Sequence, residues 1–176
     1  MKDLRYTPKS SGKREITLVI FLAFVATLLF AFSVSGLFSR SVLQLLFLVL
    51  VCTDILLCIR YFLTTFQYTV TDEYGEAMLI VTQTQGKRIS TLANFKLKDI
   101  RKIEIASDEN AVKELKKRFN SQKNRFSYAP SIVPNELTCL TVKSDYTAYL
   151  VMLETDSHFS SALKQIIDSM PKNDEE

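Results

Sequence analysis

Residues 16–38, ITLVIFLAFVATLLFAFSVSGLF, and residues 41–59, SVLQLLFLVLVCTDILLCI, decide how this chain folds. The first run holds no charged side chain, and the second holds one, Asp54. At about 1.5 Å rise per residue, roughly 20 apolar residues cross a hydrocarbon layer about 30 Å thick. Both runs reach that length, and only Ser39 and Arg40 lie between them. A link that short turns the second helix back along the first, so the spacing predicts a transmembrane hairpin over residues 16–63. A signal peptide would have a shorter apolar region followed by a small-residue cleavage site. The run to Phe38 and the immediate second span argue for no cleavage.

The remainder is a different material. Residues 1–15 mix charge with Pro8, Gly12 and serines and show no apolar period, which reads as a disordered cytoplasmic head. About 110 residues follow the hairpin, a normal size for one compact domain. Lys2, Arg5, Lys9, Lys13 and Arg14 precede the first helix, Arg60 closes the second, and the turn carries only Arg40. Short basic flanks stay in the cytoplasm, so both termini are expected inside and the turn outside. Cys52, Cys58 and Cys139 have no metal-ligand spacing, and a reducing cytoplasm disfavours disulfides.

Two features of the hairpin stand out. Ala23, Thr27, Ala31 and Ser35 recur at every fourth position of the first helix, a row of small side chains expected to face the second helix. Asp54 lies six residues, about 9 Å, from Arg60. A charged carboxylate at mid-bilayer costs at least about 2.5–3.5 kcal/mol, so Asp54 is expected to be protonated, wet or paired. Folding the hairpin about its turn brings Asp54 to the depth of Val25 to Thr27, with the Thr27 hydroxyl as candidate donor. Asp54 then reads either as a functional intramembrane carboxylate or as a packing residue.

From Phe66 the period shortens to two: Phe66, Tyr68 and Val70 alternate with Gln67, Thr69 and Thr71. Turns at Asp72 to Gly75 and Gln85-Gly86-Lys87 separate strands at Ala77 to Thr82 and Arg88 to Leu92. Ile100, Ile103 and Ile105 line a fourth strand, and Leu137 to Lys143 and Tyr146 to Glu154 form two more around Ser144-Asp145. Asp156 or Ser157 caps a last helix with Phe159, Leu163, Ile166, Ile167 and Met170 on one face, stopped by Pro171 and an acidic tail at 172–176.

Within 64–171, Tyr68-Thr69-Val70-Thr71-Asp72, Met78-Leu79-Ile80, Gly86-Lys87-Arg88-Ile89 and Lys98-Asp99-Ile100, followed by Ile103, resemble bacterial pleckstrin-homology-like domains. The resemblance implies an α+β fold: a curled antiparallel sheet or barrel capped by a C-terminal helix, often behind one or two membrane helices. It departs from the family at about 107–135, where some 30 residues intervene. Asp108 and Glu109 suit a helix N-terminus there, Lys116, Lys117 and Arg118 its other end, with Val112, Leu115 and Phe119 on one face. With Lys113, these cations make either a helix lying on anionic lipid headgroups or a solvated helix packing on the sheet.

No reactive constellation is visible. His158 stands alone at the start of the last helix, and the four glycines are scattered, so no phosphate loop forms. Asp72, Glu73 and Glu76 cluster where turns favour acids anyway. No cofactor or metal is expected, and the basic insertion lacks the stacking aromatics of a nucleic-acid surface. The expectation is a non-enzymatic scaffold module of a bacterial inner membrane, associating with itself or with another membrane protein. The alternatives are an anionic-lipid sensor using Lys113, Lys116, Lys117 and Arg118, and an accessory subunit of a transport or signalling complex using Asp54.

Overall fold

The computed structural model describes residues 4–8, 13–35, 39–73, 75–143 and 147–170. Its element order is β1 (Leu4–Tyr6), α1 (Lys13–Ser35), α2 (Arg40–Phe62), β2 (Thr64–Glu73), β3 (Glu76–Gln85), β4 (Arg88–Lys96), β5 (Ile100–Ala106), α3 (Glu109–Ser121), β6 (Arg125–Ser127), β7 (Leu137–Lys143), β8 (Ala148–Glu154) and α4 (Ser157–Asp168). The Ser144-Asp145 turn and the acidic tail lie outside the described residues.

α1 and α2 are long and apolar enough to cross a membrane, and their apolar stretches are scarcely buried by protein. They pack on each other, Phe30 meeting Phe47 at 5.4 Å between ring centres. The more buried positions include Val19, Leu22, Ala26, Leu29 and Ser33 on α1, and Leu43, Phe47, Leu50, Asp54, Leu57 and Tyr61 on α2. This alternation of three and four is the seam of a left-handed helix pair. The row Ala23, Thr27, Ala31, Ser35 is exposed instead, which corrects the expected contact face. Steps of four drift about 40° around a helix of 3.6 residues per turn, so such a row leaves the seam within three steps. Small side chains do serve close approach, but they are Ala26 and Ser33, seven apart.

The rest forms two four-stranded sheets, ordered β1-β2-β3-β4 and β5-β7-β8-β6. β2 and β3 pair antiparallel from Thr64↔Gln85 to Glu73↔Glu76. The two-residue β3–β4 turn holds Gly86 at φ +59°, a left-handed conformation that glycine adopts without a Cβ clash. Between the sheets a 3-10 turn at Leu97–Asp99 carries the chain round a corner. The sheets stay separate, so the barrel alternative for the fold is not realised: among the described strands, β4 and β5 are not paired.

Tyr68, Val70, Leu79 and Val81 of the first sheet face Leu140, Val142, Val151 and Leu153 of the second. α4 adds Phe159, Leu163 and Ile167 to that core, and Asp156 caps it by accepting from the Phe159 amide at 2.7 Å. Removing such area from water is the main driving force for this domain. α3 covers the opposite face of the second sheet: Val112, Leu115 and Phe119 pack with Ala106, Leu137, Cys139 and Met152. β7 is therefore buried on both faces, which is why its residues do not alternate in polarity.

A second correction concerns the head. Leu4–Tyr6 is not disordered but pairs with β2, Leu4↔Val70 and Tyr6↔Tyr68. The Tyr6 ring lies 5.4 Å from Phe159 and 6.2 Å from Tyr68. The hairpin is thus spliced between two neighbouring strands of one sheet, and both its ends emerge on the side of the domain.

Candidate functional site

The hairpin and the domain meet at a cleft of about 390 Å³. One wall is the end of α2, with Arg60 and Tyr61; another is α3, with Lys116, Phe119 and Asn120. Arg125 and Ser127 of β6 and the loop 129–134 complete it. The lining carries three cations and no carboxylate.

Each element is held by a specific local reason. α3 starts at Asp108, whose carboxylate accepts from the amides of Asn110 and Ala111 at 2.9 Å each. It ends under Arg125, whose Nη1 donates to the carbonyls of Phe119, Asn120 and Gln122. A cation over the last carbonyls of a helix satisfies acceptors that lack an intrahelical partner. Arg60 lies over the Tyr61 ring, 5.8 Å from its centre.

The loop wall is pinned by carboxylates from both sides of the junction. Ser131 donates its amide (3.0 Å) and hydroxyl (2.8 Å) to Glu154. The Ile132 amide donates to Glu15 of α1 at 2.8 Å, and Lys116 donates to the Ile132 carbonyl at 2.7 Å. Glu15 is only 2 % exposed. Burial pushes the Glu154 carboxyl above its usual range, against the Ser131 bonds that pull it down. Behind the loop, the fully buried Tyr68 hydroxyl donates to the Tyr128 carbonyl at 2.8 Å and accepts from the Glu154 amide at 3.4 Å.

The four insertion cations do not form one surface. Lys113 pairs with Glu109 at 2.9 Å, one turn away. Arg118 reaches Glu104 at 2.8 Å, which Lys102 also holds at 2.6 Å. Lys116 turns into the cleft, and Lys117 is exposed. The apolar face of α3 packs on the second sheet, so its cations stand on the faces turned away from that contact. The cations that the fold does bring together are Arg60 at the end of α2, Lys116 on α3 and Arg125 on β6. Sequence reading used Arg60 only for orientation: Lys116 and Arg125 share the basic insertion, but no spacing links either of them to Arg60.

Asp54 sits half-buried on the α2 seam, and its Oδ1 has no hydrogen-bond partner among the described residues. Thr27 does not serve it: that hydroxyl is exposed and donates to its own Ala23 carbonyl at 2.9 Å. His158 is exposed on the first turn of α4. Glu76, from the acidic turn, is held by Lys96 (2.7 Å) and Lys98 (2.9 Å), with Lys96 foremost in keeping its carboxyl below the usual range. Cys139 is buried, and burial raises its thiol to about 11, far from the range of a reactive thiolate.

A second surface belongs to β4, which among the described strands is an edge of the first sheet. From Ile89 to Phe95 the strand has no charged residue; Ile89 is 72 % exposed, and Leu92, also exposed, sits where the register to β3 shifts. An unpaired strand edge offers a row of amides and carbonyls to another chain. The Thr64↔Gln85 register sets the β3–β4 turn level with the end of α2.

Compared with models of known protein families, with curated proteins and with solved structures, the chain matches none.

Proposed function

We propose that the hairpin spans the inner membrane of a bacterial cell, with both termini and the domain in the cytoplasm. The domain then acts as a non-enzymatic docking module of pleckstrin-homology-like type. Three observations support the membrane reading. The apolar faces of α1 and α2 are left bare by protein, β1 and β2 return both helix ends to one side, and the flanks are basic. Sheet, second sheet and closing C-terminal helix, in that order, support the family reading. The observation that carries the docking function is the open, uncharged β4 edge. An extended segment of a neighbouring membrane protein would add there as a fifth strand, with main-chain bonds for affinity and Ile89 and Leu92 as side-chain contacts.

A photocrosslinking residue placed at Ile89 in cells is expected to capture a discrete protein, with a second copy of this chain as one form of that outcome. Ile89→Lys with Leu92→Lys should abolish the capture from a neighbouring probe at Thr91. Equal labelling from Lys164 on α4, far from the edge strand in sequence, would refute the reading.

One observation favours a second reading, an accessory subunit of a membrane transport or signalling complex. The buried, unpartnered Asp54 Oδ1 suits a donor from another membrane helix. If Asp54→Asn leaves assembly state and membrane phenotype unchanged, that reading is out.

A further inference from the structure

We propose that the junction cleft binds a phosphate-bearing anion, with the headgroup of an anionic membrane lipid as its source. This goes beyond the docking edge, which uses a different face. The cleft's lining presents Arg60, Lys116 and Arg125 without a single carboxylate. Each cation keeps donors in hand. Lys116 spends one of three on the Ile132 carbonyl, and Arg125 makes its carbonyl contacts through Nη1 alone. Among the described residues, Arg60 makes only its contact with the Tyr61 ring. Two guanidinium forks and an ammonium are the donor set that matches phosphate oxygens.

The setting identifies the lipid. Arg60 is the last charged residue of α2, so the cleft opens where the helix leaves the bilayer. Ile132 of the lining is an exposed apolar side chain, and Phe62, Leu63 and Val133, next in the chain to the lining residues Tyr61, Ile132 and Pro134, are exposed as well. A second hollow of about 300 Å³ lies on the other side of Arg60, with Leu56 and Ile59 of α2 in its lining. A headgroup held by the cations would have apolar surface beside it for its acyl stem. The volume of the cleft is in the range of small-molecule sites. Its loop wall is fixed from behind by Glu15 and Glu154, so the site is preformed and binding need not order it.

The test uses the full chain in detergent micelles and native mass spectrometry of retained lipid. Phosphatidylglycerol should be retained in preference to phosphatidylcholine. Removing one cation from the cleft should weaken retention about fivefold, and Arg60→Gln with Lys116→Gln by roughly 25-fold. Lys113→Gln with Lys117→Gln makes the same change in net charge outside the cleft and should cost less than about threefold. Should the first pair fail to fold, Asn120→Asp, which places a carboxylate in the lining, must expel the lipid instead. In a second arm, millimolar inorganic phosphate is added to the chain in phosphatidylcholine. A rise in melting temperature that Arg60→Gln removes, without phosphatidylglycerol retention, keeps the phosphate site but assigns it to a soluble ester. Equal losses from both variant pairs, or no preference among lipids together with no phosphate effect, overturns the site.

Discussion

Tyr6→Ala tests whether the first few residues belong to the sheet. The ring of Tyr6 lies against Tyr68 and Phe159, and its strand contributes three residue pairs to β2. Each aromatic contact is worth about 0.5–1.5 kcal/mol beyond area. Truncating a fully buried aromatic costs about 3–5 kcal/mol, and Tyr6 is half-buried, so the expected loss is about 2–3 kcal/mol. For a domain of this size that lowers the melting temperature by roughly 8–15 °C. Cys139, buried in β7, supplies the reporter. In a Cys52→Ser, Cys58→Ser background, maleimide labelling of the full chain in micelles follows opening of the domain. A Tyr6→Ala midpoint within about 2 °C of the parent would refute the strand and return residues 4–6 to a free head.

Asp54→Leu is expected to stabilise the hairpin by about 2.5 kcal/mol, while Thr27→Ala changes nothing measurable, because Thr27 bonds only its own helix. Steric trapping of the hairpin in bicelles reads both, and a loss on Asp54→Leu would show that the carboxylate has a partner. Glu154→Gln should stabilise the domain at neutral pH. Burial raises the folded-state pKa of Glu154, so its contribution is present below the ordinary value near 4.5 and is lost as pH rises through the folded value. The gain from the amide is therefore largest at neutral pH and vanishes in acid, which melting curves across that window would show. A gain that grew on acidification would contradict the sign.

Much of the architecture was legible along the chain because its signals are local. Apolar length marked both helices, alternation marked β2, and Gly86 marked the β3–β4 turn. Asp108 with Glu109 marked the start of α3, and Asp156 or Ser157 the start of α4; the caps are Asp108 and Asp156. What escaped was non-local. Three residues, Leu-Arg-Tyr, carry too little pattern to announce a strand whose partner lies some 60 positions on. β6 carries no period either: it is three residues long and pairs parallel with β8. The seam of the hairpin was misassigned because a four-residue repeat looks helical on paper yet spirals off the contact line. The cleft was invisible for a related reason: Arg60, Lys116 and Arg125 become neighbours only after α3 has docked and the loop 129–134 has been tied to α1.

The hairpin's position between β1 and β2 dictates an order of events during synthesis. β1 precedes both long apolar helices in the chain, and its partner β2 follows them. If the hairpin spans a membrane as proposed, Tyr6 would wait on the cytosolic face with its ring uncovered, and closure of the sheet would certify that both helices had crossed and come back. A chain whose hairpin stalled halfway would leave β1 and β2 on opposite faces of the bilayer, its aromatic cluster unmade and its defect open to proteases. Topology would in this way be proofread by folding itself.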